Sequence, residues 1–243
     1  MNNTLANGLN LLETMASDGR EYTVKELASR TSLPASNVCR LLKTLVASGY
    51  LQQDPKTRQY RVGLRVLTLS NARLASLDLR RVGHAFAARL CHEVDAPVYL
   101  SAPMEGRSVV VDVMWPSGYI GDPHIVVGAL HSVTHSACGK VCAAYADAES
   151  RAGLAAALAA VVPPERLEDW DAEFEDIRNT GFARRLEGGL AAAAAPIFHA
   201  GGNFAGAIGA VFEPAAEILP GQEQAIRMAA TGISFALGQP VST

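Results

Sequence analysis

The chain has 243 residues, 49% of them hydrophobic, with 21 Lys and Arg against 24 Asp and Glu. That length allows one small module and one ordinary domain, each able to bury a core, and no run approaches the ~18–20 apolar residues of a membrane helix. The four cysteines, Cys39, Cys91, Cys138 and Cys142, show no disulfide framework, and the start of the chain has neither the basic region nor the cleavage site of a signal peptide, so a reduced cytoplasmic protein is expected.

Charge is spread unevenly. Residues 1–70 carry 9 basic and 5 acidic side chains, a net of +4; residues 71–243 carry the remaining 12 basic and 19 acidic, a net of −7. A basic end on an acidic body suits phosphate contact through one end only.

In chain order, a first helix is expected at the N-terminus, with Leu5, Leu9, Leu12 and Met15 along one side. Residues 22–62, YTVKELASRTSLPASNVCRLLKTLVASGYLQQDPKTRQYRV, then carry the strongest signal. Thr23 and Glu26 have capping-box spacing, and Val24, Leu27 and Ala28 begin an apolar stripe. This helix ends near Thr31-Ser32-Leu33, and Pro34 opens the next with its fixed φ and dispensable N–H. In that second helix Val38, Leu41, Leu42, Leu45 and Val46 recur at helical spacing, and Gly49 is the stop. Strand-like alternation on either side of Asp54-Pro55-Lys56-Thr57-Arg58 then predicts a hairpin with a basic tip. Two helices, a tight turn and a wing form a winged helix-turn-helix, which sets one helix in a DNA groove and a hairpin on the backbone.

The face of the second helix opposite its stripe carries Ser36, Asn37, Arg40, Lys43 and Thr44. Arg40 can make a bidentate pair with guanine, and Asn37 with adenine. Ser36 near the helix start can bond a phosphate. With Thr23 at the preceding cap and Lys56 and Arg58 on the wing, these are the expected DNA contacts.

Further on, residues 64–95 read as one or two linker helices. The runs 98–103, 108–115 and 124–130 are rich in β-branched residues and read as strands. Residues 139–147 and 164–179 read as helices, 192–199 and 203–212 as a hairpin across Gly201-Gly202-Asn203, and about 219–238 as a closing helix. The alanines of 191–195 favour helix locally, but Pro196 and the pairing strand outweigh that preference.

Three segments resemble the IclR family of bacterial transcriptional regulators: GYLQQDPKTRQYRVGLRVLTLS at the wing exit, SVTHSACGKVCAAY at 132–145, and Gly181-Phe182 followed by AAAAAPIFHAGGNFAGAIGAVFEP at 191–214. The resemblance covers nearly the whole chain. It implies an α+β protein: a winged helix-turn-helix at 1–64, a linker helix region at 65–96, and a GAF-like effector-binding domain at 97–243. It also implies a homodimer or tetramer on operator DNA, responsive to a small metabolite, with no cofactor and no catalysis.

By the same resemblance, the effector pocket lies between the loop at 134–139, the segment after Gly181-Phe182, and the last hairpin. The residues implied are His135, Ala137, Cys138, Gly139, Arg185, Ala192, Gly209 and Val211, with Trp115, Tyr119 and Ile120 on a preceding loop as a lid or wall. Where the family often has serines in the final hairpin, this chain has Gly209 and Val211, which suggests a roomier, less polar pocket and a larger acid, aromatic acids included. Trp115 and Tyr119 read equally as core or interface residues, and Arg184-Arg185 either as carboxylate partners or as a solvated pair.

Two other chemistries are weaker. His131, His135, Cys138 and Cys142 cluster in sequence but lack the second close pair of a zinc site, and Cys138 has no orienting acid to make it a nucleophile. The expected function is a ligand-responsive regulator of a catabolic operon, with repression and activation both open and repressor the working expectation. The alternative is a GAF-like sensor or enzyme with a non-functional DNA-binding module.

Overall fold

The computed structural model describes residues 3–104, 107–119, 125–131, 136–147, 150, 154, 167–187, 190–213 and 217–239. The chain divides into two compact units, Met1–Ala75 and Ser76–Thr243.

In the first unit, α1 (Asn3–Ala16), α2 (Val24–Thr31) and α3 (Ala35–Ala47) are followed by the two-stranded antiparallel wing β1 (Leu51–Gln53) and β2 (Tyr60–Val62), then by α4 (Arg65–Ala75). The core is Leu11, Met15, Tyr22, Leu27, Val38, Leu41, Leu42, Leu51 and Tyr60. Of the stripe expected on α3, Val38, Leu41 and Leu42 are buried and Leu45 and Val46 are packed at the edge. The stripe expected on α1 is corrected. Gly8, Leu11 and Met15 are its buried residues, while Leu5 and Leu9 are exposed. Both sets keep helical phase, and the small Gly8 lets α3's Leu41 approach where a leucine would hold it off.

The turn between α2 and α3 forms as the sequence predicts: Ser32 closes α2 in the left-handed region at φ 53°, and Pro34 caps α3. Gly49, at φ 78°, stops α3. No residue of α4 is buried, and Leu64, Leu67 and Leu69 are exposed.

The second unit opens with α5 (Asp78–Val94). The 65–96 stretch expected as a linker thus comprises two helices, α4 in the first unit and α5 in the second. A six-stranded antiparallel sheet follows, formed by β3 (Val98–Met104), β4 (Arg107–Met114), β5 (Leu130–His131), β6 (Ala183–Glu187), β7 (Leu190–Phe198) and β8 (Phe204–Phe212) in the order β5-β4-β3-β8-β7-β6. Helices α6 (Ala137–Ala144) and α7 (Leu167–Thr180) pack on one face; α5 and the last helix, α8 (Pro220–Ala236), pack on the other.

Covered on both sides, the central strands read as continuous apolar runs, as such strands must. The alanines 191–195 are buried strand residues of β7, held in register against Ala195↔Ile208 through Ala191↔Phe212. The small side chains let helices approach from both faces. Of the strand expected at 124–130, the described residues 125–129 are not strand and only Leu130 is. Residues 125–129 make a bend and turn around Gly128, whose φ of 93° no β-branched neighbour could adopt, and only Leu130–His131 pair with β4.

Candidate DNA interface and effector site

In the first unit, Thr23 and Glu26 form the capping box: Glu26 N–H donates to Thr23 Oγ1 at 3.2 Å, and Thr23 N–H donates to Glu26 Oε2 at 2.8 Å. The Thr23 hydroxyl also donates to Glu26 at 2.8 Å, so it is committed to the cap. On α3, Ser36, Arg40, Lys43 and Thr44 are exposed and Asn37 half-buried, all on the side away from the core. Arg40 Nη2 donates to Asn37 Oδ1 at 3.2 Å, which aligns the two side chains best suited to base edges. Thr44 Oγ1 donates to the Arg40 carbonyl at 3.2 Å.

The wing tip is a hydrogen-bonded turn. Asp54 Oδ1 accepts from the N–H groups of Lys56 and Thr57 at 2.7 and 2.8 Å, and these bonds hold its carboxyl below the usual range. Lys56 and Arg58 project exposed from this turn, with Arg58 at φ 61°.

Sequence reasoning missed Tyr22. Its ring is fully buried beneath the guanidinium groups of Arg20 and Arg30, 4.1 and 5.1 Å from the centroid, and its hydroxyl donates to Asp18 at 2.6 Å. An aromatic directly before the cap, with arginines two residues before it and eight after, was the available signal.

In the second unit, the inner face of the sheet meets the start of α6. Ser136 caps α6, its Oγ accepting from Gly139 N–H at 3.3 Å. Ala137, Cys138 and Gly139 are buried there, together with Ala192 and Val211. Gly209 lies against them. A Cβ on Gly209 would stand 2.7 Å from Cys138 Sγ, 3.0 Å from the Ala193 carbonyl and 3.3 Å from Tyr99 Cζ. The missing side chain at Gly209 therefore opens no space, because the Cys138 thiol and the Tyr99 ring fill it. This corrects the expectation of a roomier pocket at that position.

The two arginines of β6 part ways. Arg184 bonds Glu223 on α8 and lies over Phe182 at 4.9 Å. Arg185 pairs in register with Ala192, on the α6 side, close enough for its charge to act on Tyr99. Trp115 stacks on Tyr119, with centroids 5.3 Å apart, and packs at the margin of the inner core. Ile120 and His135 lie outside the described residues.

The structure also brings in residues the sequence did not single out. Tyr99, Ser101 and Ser108 face α6 from β3 and β4, and Tyr99 OH lies 3.4 Å from Ser136 Oγ. Burial pushes the Tyr99 phenol well up, and the Cys138 thiol to about 12, so the sulfur is protonated at neutral pH and is no nucleophile. Among the described residues, no three His, Cys, Asp or Glu side chains gather as a metal site, and no helix is long and apolar enough to cross a membrane. Two surface clefts of about 430 Å³ lie elsewhere, one beside Arg227 and Phe235 of α8, the other beside Tyr145 and Phe204.

Comparison with known proteins assigns both halves. The IclR helix-turn-helix domain matches residues 4–55 and the bacterial transcriptional regulator IclR C-terminal domain matches residues 71–234. The HTH-type transcriptional regulator TsaQ1/TsaQ2 of Comamonas testosteroni is 33% identical over 46% of this chain and 40% of its own. The glycerol operon regulatory protein of Streptomyces griseus is 28% identical over 82% of this chain and 80% of its own. A crystal structure of an IclR homolog complexed with 4-hydroxybenzoate from Microbacterium hydrocarbonoxydans has the same fold, with a TM-score of 0.77, 22% identity, and 96% and 98% of the two chains covered.

Proposed function

The chain belongs to the IclR family of bacterial transcriptional regulators and carries that family's DNA-binding helix-turn-helix, and we propose that it controls a catabolic operon by binding operator DNA through α3 and the wing in response to a small organic acid, aromatic acids included. The observation that carries the DNA half is the outward-facing row Ser36, Asn37, Arg40, Lys43 and Thr44, all exposed but the half-buried Asn37, on the helix that a winged fold offers to the major groove. Lys56 and Arg58 hold the backbone; Arg40 and Asn37 read bases.

The effector half is supported by Arg185 on the inner face of β6, by the start of α6 beside it, and by Trp115 stacked on Tyr119 at the margin. A related regulator is named for a glycerol operon, and a structural relative holds 4-hydroxybenzoate. Both fit a regulator of carbon-source catabolism.

Surface chemistry supports a homo-oligomer. Leu5 and Leu9 of α1, with Leu64 and, on α4, Leu67 and Leu69, are 51–72% exposed, a concentration of large apolar side chains that a second copy would cover. Two wing modules then meet two operator half-sites, and ligand shifts the population between spacings that match the operator and spacings that do not.

A gel-shift on the intergenic DNA beside the gene, with and without candidate acids, tests this reading. The expected result is a shifted band at low salt whose intensity changes with one acid. Absence of any shift would favour the alternative, a GAF-like sensor or enzyme with an inactive DNA module.

A further inference from the structure

The structure sorts the basic side chains of the first unit by whether a carboxylate holds them. Arg20 pairs with Asp18 through Nε and with Glu26 through Nη1, both at 3.2 Å, and Arg30 pairs with Asp18 at 3.6 Å. Arg61, on the wing strand β2, pairs with Glu21 at 3.5 Å, and its Nε donates to Gln52 on β1 at 3.3 Å. Among the described residues, Lys25, Arg40, Lys43, Lys56, Arg58 and Arg65 have no carboxylate partner. Arg40, Lys43, Lys56 and Arg58 already belong to the outer side of α3 and the wing tip, and Arg65 lies over the Tyr50 ring at 5.7 Å. Lys25 is exposed, and its side chain has neither an ion pair nor a ring beneath it.

Lys25 stands in the first turn of α2, the helix that in a helix-turn-helix crosses the DNA backbone while the next one enters the groove. The chain just before it is fixed to the wing. Tyr22 and Tyr60 exchange backbone hydrogen bonds at 2.9 and 2.8 Å, and the Tyr22 ring is buried. Glu21 and Arg61 are the chain neighbours of these two tyrosines, so their ion pair sits beside the bridge that joins the wing to the start of α2. The end of α2 is itself filled by the Thr23–Glu26 capping box. An anion there would meet the lysine side chain rather than open helix N–H groups.

A cation adds to duplex affinity when its charge is uncompensated, because neutralising a phosphate then releases a condensed counterion. Arg61 beside Glu21 presents no net charge, and reaching for a phosphate would leave Glu21 facing a like charge. We infer that carboxylate pairing decides which cations grip the DNA backbone: Lys25 is a phosphate contact on α2, and Arg61, although on the wing, is withheld by Glu21. This rests on the reading that α3 and the wing bind DNA, and it adds a third point of attachment and a restraint. By withholding Arg61, Glu21 limits sequence-independent attraction, so the operator keeps more of its advantage over random duplex.

Anisotropy titrations of the full chain on a random duplex and on the intergenic DNA, between about 50 and 200 mM salt, test this. Lys25→Gln is expected to weaken both duplexes alike and to lower the salt slope by about one for each module bound, with the melting temperature unchanged. Glu21→Gln should tighten binding to the random duplex about threefold or more and raise the slope by about one. Glu21→Gln combined with Arg61→Gln should return the slope to that of the wild type. The inference is overturned, with DNA binding intact, by an unchanged slope in Lys25→Gln or by no gain in Glu21→Gln. It is equally overturned if that gain persists without Arg61, or if the double variant falls below the wild-type slope. A wild type that binds neither duplex at low salt would sink both this inference and the DNA-binding reading.

Discussion

Arg40 and Asn37 meet at 3.2 Å on the outer side of α3, and that contact sets what each can do. A guanidinium already aligned beside a carboxamide loses less freedom on docking than two independent side chains. Thr23 has a different job despite lying near the same surface: its hydroxyl is engaged twice within the cap. We expect Thr23→Ala to cost about 1 kcal/mol of stability in the DNA-binding unit, measured by denaturant midpoint, with no change in sequence preference on DNA. The carboxylates nearby carry a pH signature. Asp18 is held below its usual range chiefly by the Tyr22 hydroxyl, Glu26 by the Thr23 N–H, and Asp54 by the Thr57 N–H. A group with a lowered folded pKa contributes stability that is complete above its unfolded value, about 4 for carboxylates, and is lost as pH falls through the folded value. The melting temperature of this unit should therefore be level from neutral pH to about 5 and decline below about 4. Asp18 is exposed and Glu26 and Asp54 are half-exposed, so the decline is shallow and is weakened by salt.

Cysteine reactivity is the residue-scale counterpart in the second unit. Cys91, Cys138 and Cys142 are buried and Cys39 is half-exposed, and burial raises the pKa of all three buried thiols. A thiol reagent applied to the native protein should modify Cys39 alone; rapid reaction of a second thiol would contradict the burial of α5, for Cys91, or of α6, for Cys138 and Cys142.

At the scale of elements, the packing of α6 on the sheet turns on one position. Gly209 gives way to Cys138 and Tyr99, so Gly209→Ala is expected to overpack the contact and cost about 1–3 kcal/mol. Combining it with Cys138→Ala should recover part of that loss, because the 2.7 Å neighbour is gone. A double-mutant cycle on melting temperature reads the coupling, and strict additivity would mean that the two do not touch. Elements also show which local signals carry a fold. The two helices and wing of 22–62 were legible because each boundary has its own chemistry: a capping box, a proline start, a glycine stop. The run Ile125-Val126-Val127 misled for the converse reason. Its β-branched residues favour a strand, but Gly128 turns the chain and leaves Val126 and Val127 nearly half exposed. On α1, leucine size pointed to Leu5 and Leu9, whereas the helix buries the smaller Gly8 against α3. The polar wall of Tyr99, Ser101 and Ser108 had only period-2 alternation to betray it. Nothing local says that the polar side of a strand faces inward; the helix laid over it decides that.

At the scale of the molecule, charge and apolar surface divide the work. The first 70 residues carry a net of +4 and the remainder −7, counted from the sequence, so phosphate contact is confined to one end. A charge of that size gives a single module modest affinity, which the exposed leucines of α1 and α4 explain if two modules bind together. Sedimentation of the full chain should show a dimer or larger species at micromolar concentration, with Leu67→Glu combined with Leu69→Glu shifting it toward monomer and weakening operator binding.

The account stands or falls on α3 reading bases. Binding isotherms on operator and random duplexes, at several salt concentrations, compare the wild type with Arg40→Ala and Lys56→Ala. The expected result is that Arg40→Ala loses about 1–3 kcal/mol on the operator and little on random DNA, while Lys56→Ala weakens both alike and lowers the salt slope by about one. Equal losses of Arg40→Ala on operator and random DNA would contradict the assignment of α3 to the groove.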